Sequence, residues 1–322
     1  MSALDCGGRP LDLQRVRVMG ILNVTPDSFS DGGAYNGVAE ALEQARAMVA
    51  AGADIIDVGG ESTRPGATPV GLDEELARVI PVVTALAQAL PIPVSVDTYK
   101  PEVMRAAVAA GAGLINDVRA LRAPGALDTA AQLGVPVCLM HMVGEPRTMQ
   151  LAPDYTDVVV QVRAFLAERL DACVRAGIPR TRLIIDPGFG FSKTLEHNLR
   201  LLANLRVLTE LGVPVLVGLS RKSMVGALTG RAPADRLAGS LAGALLAVAR
   251  GAAILRVHDV TETRDALRVW EAVTAMAPTP PRTMAVPGAL AVPPPCPHPI
   301  GVGELDRAPD ATFRVTRPSP VD

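Results

Sequence analysis

Short runs of β-branched and other apolar residues recur along the chain, each followed by a longer Ala- and Leu-rich stretch of helical spacing. The short runs predict strands at 16–22, 54–58, 93–96, 113–116, 135–140, 182–185, 214–217 and 253–257. The longer stretches predict helices at 38–51, 73–89, 101–110, 125–133, 156–176, 194–211, 235–250 and 262–275. Gly52, Gly111, Gly134, Gly177, Gly212 and Gly251 stand just after six of these helices, where a left-handed cap favours glycine. Strands that are apolar on both faces and separated by helices belong to a parallel sheet covered on both sides. Eight such units predict an α/β fold, a (β/α)8 TIM barrel. A doubly wound open sheet is the alternative, because alternation alone does not reveal closure.

The pattern stops near residue 277. Twelve prolines fall among the last 45 residues, with no sustained period, so the chain divides into a barrel at 1–276 and a disordered Pro-rich tail at 277–322. Composition narrows the classes further. Hydrophobic residues make up 49% and charged residues 20%, with a net charge of −2, which gives no electrostatic ground for binding nucleic acid or an anionic membrane. Cys6, Cys138, Cys173 and Cys296 form no CxxC pair, so neither a zinc site nor a disulfide framework is indicated. The N-terminus lacks an apolar signal region, and the longest apolar run, 241–249, is too short to span a bilayer. These features together predict a cytoplasmic protein.

In a (β/α)8 barrel the loops after the strands build the active site. All eight predicted strands end in polar or ionisable groups: Asn23, then "DVGGESTRPG" from 57, Asp97, and Asn116 with Asp117. "MHM" from 140, Asp186 with "PGFGFSK", "GLSRKS" from 218 and "RVHD" from 256 complete the set. Of 31 basic residues only Lys100, Lys193 and Lys222 are lysines, and all three follow strand ends. Where arginine serves as the general cation, a surviving lysine marks a place that a planar guanidinium does not fit.

Buried carboxylates and a carboxamide in an apolar mouth suit a flat ligand with several N–H donors, since each buried polar atom needs a partner. Lys222 can donate to a ring carbonyl or nitrogen, and Ser220 and Ser223 can cap the helix that follows. Arg256 and His258 alternate along one strand and, with Arg64 and Asn23, form a pocket for phosphate oxygens. Asp27 and Asp31 on the first loop can approach a hard cation such as Mg²⁺. Phe29, Phe189 and Phe191 can cover an aromatic substrate. Lys100 is given no ligand contact, so Lys100→Arg is expected to be mild.

The segments "MGILNVTPDSFSDGG", "GADIIDVGGESTRPGA", "SVDTYKPEV", "INDVRAL", "MHMVGEPRTMQ", "IIDPGFGFSKTLEHNLRLL", "VGLSRKSM" and "RVHDV" occur in this order. On them, residues 16–275 resemble the dihydropteroate synthase family of pterin-binding barrels. The resemblance implies condensation of 6-hydroxymethyl-7,8-dihydropterin diphosphate with p-aminobenzoate, giving 7,8-dihydropteroate and diphosphate in folate biosynthesis. It places the pterin ring at Asp97, Asn116, Asp186 and Lys222, with Met140 packing against it. It assigns the diphosphate and Mg²⁺ to Asn23, Arg64, Arg256 and His258, with Asn23 as the metal ligand and Thr63 as a further substrate contact. Phe29, Pro65 and Ser223 match the surroundings of p-aminobenzoate, which Phe191 also lines. Asp97, Lys222, Arg256 and His258 are the catalytic candidates. The resemblance also implies a homodimer and a sulfonamide target, with no insertion after Pro65 of the kind that insensitive members carry. A methyltetrahydrofolate-dependent methyltransferase and a non-catalytic pterin-binding paralogue are the alternatives.

Overall fold

The computed structural model describes residues 3–24, 33–61, 69–144 and 155–276. The expected disorder of 277–322 therefore lies outside the described residues. An N-terminal hairpin, β1 (Ala3–Cys6) and β2 (Arg9–Asp12), leads to β3 (Arg17–Asn23) and α1 (Gly33–Ala50). Strand–helix units follow: β4 (Ile55–Gly59) with α2 (Leu72–Ala89), β5 (Val94–Asp97) with α3 (Pro101–Ala109), and β6 (Leu114–Asp117) with α4 (Ala126–Leu133). β7 (Val137–Met140) precedes α5 (Val158–Arg175), and β8 (Leu183–Asp186) precedes α6 (Leu195–Ala203) and the short α7 (Arg206–Thr209). β9 (Leu216–Val217) leads to α8 (Ser223–Thr229) and α9 (Leu237–Val248), and β10 (Ile254–Val257) to α10 (Val260–Ala275).

The eight strands β3 to β10 pair in parallel in the order β8-β7-β6-β5-β4-β3-β10-β9. A parallel bridge between Ile185 and Val215 joins the two ends. The sheet is a barrel rather than the open alternative. β4 to β8 are buried at every position, as strands with helices outside and side chains inside must be. All six glycines predicted to cap helices have positive φ.

Three features depart from the sequence reading. The hairpin was missed, although Leu4 and Cys6 alternate with exposed neighbours ahead of a Gly7–Gly8 turn. Leu4, Cys6 and Leu11 pack on Met19, Leu114, Ile184 and Ile254, so the hairpin plugs the N-terminal end of the barrel. A Cβ on Gly113 would land on the carbonyl of Cys6, and only glycine allows that approach. The helix expected over 194–211 breaks at Asn204, whose amide bonds the Arg200 carbonyl at 2.8 Å. Leu205 then bonds back only three residues, to Leu202, a tighter turn that a periodicity argument does not reveal. The stretch after Lys222 also forms a separate helix, α8, ahead of α9.

Candidate active site

Inward-facing residues come in two layers, and the change between them defines the site. Toward the N-terminal ends of the strands they are Met19, Ile55, Leu114, Cys138, Ile184, Leu216 and Ile254, all buried. Two residues further along each strand the side chains share that face. There they are Ile21, Asp57, Asn116, Met140, Asp186, Gly218 and Arg256, with Asp97 following Ser95 on β5. An apolar floor gives way to three carboxylates, an amide and a guanidinium.

Asp57, which the sequence reading did not single out, connects them. Its Oδ2 accepts from Nδ2 of Asn116 at 3.1 Å and from Nε of Arg256 at 2.6 Å. Its Oδ1 is buried with no partner among the described residues. Nη2 of Arg256 donates to Oδ2 of Asp97 at 2.8 Å. Burial works against the guanidinium charge, but the carboxylates of Asp57 and Asp97 more than offset it and Arg256 stays protonated. The sequence had assigned Asp97 and Arg256 to different parts of a ligand; the structure pairs them with each other.

Burial raises the Asp97 carboxyl to about 7; Arg256 pulls it back, while the Asp57 charge pushes it further up. Asp186 is also raised, chiefly by burial and against the pull of Lys222. Its Oδ1 accepts the backbone N–H of Gly188 at 2.7 Å. Nζ of Lys222 donates to the Phe189 carbonyl and lies 4.6 Å from the centre of the Phe191 ring. Burial lowers this ammonium to about 8, opposed by Asp186 and assisted by Arg256. Gly190 gives it room, since a Cβ there would come within 3.1 Å of the Lys222 stem.

Other predicted residues fall into place unevenly. Met140 packs with Val118, Met142 and Phe191. Phe189 is fully buried in the main core, so of these two only Phe191 is placed to meet a substrate. Oγ of Ser220 lies 3.0 Å from Nδ1 of His258 and accepts its backbone N–H at 3.2 Å. The expected serine cap of α8 is therefore missing: Lys222 occupies the cap position without a side-chain bond, and Ser223 is the first helical residue. Oδ1 of Asn23 and Oδ2 of Asp97 both lie within 4 Å of where a Cβ on Gly59 would sit, 3.8 and 3.7 Å away respectively. Asp27, Phe29, Asp31, Thr63, Arg64 and Pro65 lie outside the described residues. Lys100, assigned no ligand contact, donates to Oε2 of Glu61 at 2.7 Å, to the Val70 carbonyl at 2.8 Å and to Glu75.

Residues 19–258 match the family described as pterin binding enzyme. The chain is 56% identical over 265 residues to the dihydropteroate synthase of Escherichia coli strain K12, covering 82% of this chain and 94% of that one. The solved structure of Xanthomonas albilineans dihydropteroate synthase with 4-aminobenzoic acid is similar at 60% identity and a TM-score of 0.82, covering 86% of this chain and 99% of that chain. The same enzyme in complex with 7,8-dihydropteroate gives 57% identity and a TM-score of 0.79, covering 85% and 100%.

Proposed function

Because this chain belongs to the dihydropteroate synthases of the pterin-binding enzyme family, we propose a role for each side chain at its barrel mouth. The enzyme is a transferase of folate biosynthesis. It joins the methylene carbon of 6-hydroxymethyl-7,8-dihydropterin diphosphate to the amino nitrogen of p-aminobenzoate and releases diphosphate.

The buried polar layer carries the assignment. Asp97, Asn116 and Asp186 accept and donate along the edge of the pterin, Lys222 donates to a ring acceptor, and Met140 packs on its face. An ionised carboxylate has about four acceptor sites, so Asp97 can accept a pterin N–H while it keeps Nη2 of Arg256. Nε of Arg256 stays on Asp57, and its remaining N–H donors meet the leaving diphosphate together with His258 and Arg64. The charge the guanidinium meets is the one that develops as the carbon–oxygen bond breaks. Thr63 adds a substrate contact. Phe29, Pro65, Phe191 and Ser223 surround the arylamine. Its nitrogen is neutral at pH 7 and attacks without a strong base; the proton it sheds after carbon–nitrogen bond formation leaves to solvent or diphosphate.

Among the described residues no group of three or more His, Cys, Asp or Glu could hold a metal by itself. That suits Mg²⁺, which is commonly held by one or two protein oxygens plus substrate phosphates. Asn23 would supply such an oxygen, its Oδ1 lying near Oδ2 of Asp97 above Gly59. When bound there, Mg²⁺ supplies charge neutralisation to the diphosphate.

A homodimer is part of the same proposal. α9 carries no charged residue, and Leu246 on it and Val269 and Val273 on the neighbouring α10 are exposed, which a second copy of the chain would cover. Free, buried Cys6, Cys138 and Cys173 are in keeping with the cytoplasm, and a sulfonamide is an arylamine mimic for the same pocket. No described helix is long and apolar enough to cross a membrane. The test is direct: purified chain, the pterin diphosphate, p-aminobenzoate and Mg²⁺ should yield dihydropteroate and diphosphate in equal amounts. Binding of pterin without diphosphate release would overturn the reading.

A further inference from the structure

All three lysines stand at the barrel mouth, yet Lys193 has no substrate role in the reading above. It closes the loop 187–193 between β8 and α6, and its side chain is almost wholly buried. Nζ donates to the carbonyls of Gly188 and Phe191, each at 2.9 Å, and meets Nδ1 of His141 at 2.9 Å. Burial, reinforced by Lys193 itself, lowers the His141 imidazole to about 2, so the ring is neutral and its Nδ1 can accept. With the His141 carbonyl at 3.5 Å, four acceptors converge on this one nitrogen, which suits a compact amine head even though burial lowers it to about 7, whereas a planar fork of guanidinium donors does not converge.

The loop that Lys193 ties is conformationally demanding. Gly188, Gly190 and Ser192 have φ of +67°, +77° and +52°. The Ser192 hydroxyl makes a second link, accepting from the Val143 N–H at 3.2 Å after β7. What the loop presents is the setting of Lys222: the Phe189 carbonyl that accepts its hydrogen bond and the Phe191 ring over which it lies.

We propose that Lys193 is a positioning residue for the reaction. Its Nζ locks the β8–α6 loop onto the segment after β7 and so fixes where Nζ of Lys222 stands. The proposal rests on the substrate contact assigned to Lys222 above.

A double-mutant cycle tests it. Lys193→Met should lower kcat/KM by about tenfold or more in the wild-type background, but by less than about twofold in Lys222→Ala, because the effect passes through Lys222. Equal losses in both backgrounds, or a wild-type kcat/KM for Lys193→Met, would overturn it. Lys193→Gln, which keeps two donors, replaces Lys193→Met in the same cycle if that variant does not fold. A chain with three lysines also permits a direct readout by nitrogen-15 labelling of their side chains. The Lys222 Nζ resonance should move in Lys193→Met while that of Lys100 stays; an unmoved Lys222 signal speaks against the tie. A fully active Lys222→Ala would instead overturn the placement of Lys222 in the site.

Discussion

Asp57 holds two donors on one carboxylate oxygen and, among the described residues, none on the other, with no exposure to solvent. Its partner in register on β5, Ser95, also buries a hydroxyl without a partner among the described residues. Unsatisfied groups of this kind cost about 1–3 kcal/mol each, so the residue is retained against a stability penalty. Its negative charge acts on Asp97, whose carboxyl stands at about 7 through burial, with Asp57 among the charges that raise it. In the free enzyme Asp97 loses its ability to accept a pterin N–H as pH falls through that value. The acid limb of kcat/KM for the pterin substrate should therefore lie near pH 7. In Asp57→Asn one like charge is gone, Asp97 ionises more readily, and the limb should move to lower pH. A profile with the limb unmoved would remove Asp57 from the electrostatics of the site.

Lysine scarcity can be tested at the same scale. Lys222→Arg keeps the charge but forces a larger planar group between the Phe189 carbonyl and Gly218, and the stem is already close to Gly190. Loss of one charge-assisted hydrogen bond is worth about 1.5–3 kcal/mol, which corresponds to roughly tenfold to a hundredfold in kcat/KM. Lys100→Arg serves as the control for turnover, but it should affect stability. Its ammonium joins Glu61, Glu75 and the Val70 carbonyl, and Glu75 is almost fully buried. Overfilling that knot should cost about 1–3 kcal/mol of stability, read as a lower Tm. The sequence located both lysines at strand ends but could not reveal their acceptors. Nor could it single out Asp57, because Asn116 and Arg256 lie 59 and 199 residues further along the chain.

Elements were legible where their burial is regular. Parallel strands with apolar residues on both faces and helices with a single apolar stripe announce themselves, and the eight barrel strands fall within a few residues of where the pattern put them. The hairpin β1–β2 was less visible: it buries only alternate residues and finds its partners across the whole barrel floor. Its seating depends on Gly113. Gly113→Ala would drive a methyl group into the Cys6 carbonyl, push the hairpin off Leu114 and Ile184, and cost about 1–3 kcal/mol. Thermal melts of the variant should show this loss, with substrate KM nearly unchanged because the hairpin lies at the end of the barrel opposite the mouth. A native Tm would mean that the floor accommodates the methyl group.

Across the whole molecule the ring is unevenly fastened. Neighbouring strands share two to five register pairs, whereas β8 meets the segment leading into β9 through the single bridge Ile185–Val215, with Ile185 N–H on the Pro214 carbonyl at 3.0 Å. Above this seam the Lys222 side chain, from the β9 side, reaches the Phe189 carbonyl on the β8 side. The barrel is a hoop with a clasp. Local opening should begin there, so the amide of Ile185 should exchange hydrogen with solvent faster than that of Ile115, which bonds the Pro136 carbonyl at the same 3.0 Å. A pterin analogue held as proposed, between Asp186 and Lys222, would span the seam and should slow Ile185 more than Ile115; equal protection of the two would show no clasp. Occupancy of the mouth would then act as a pin through the clasp, holding shut the one join that the backbone fastens least.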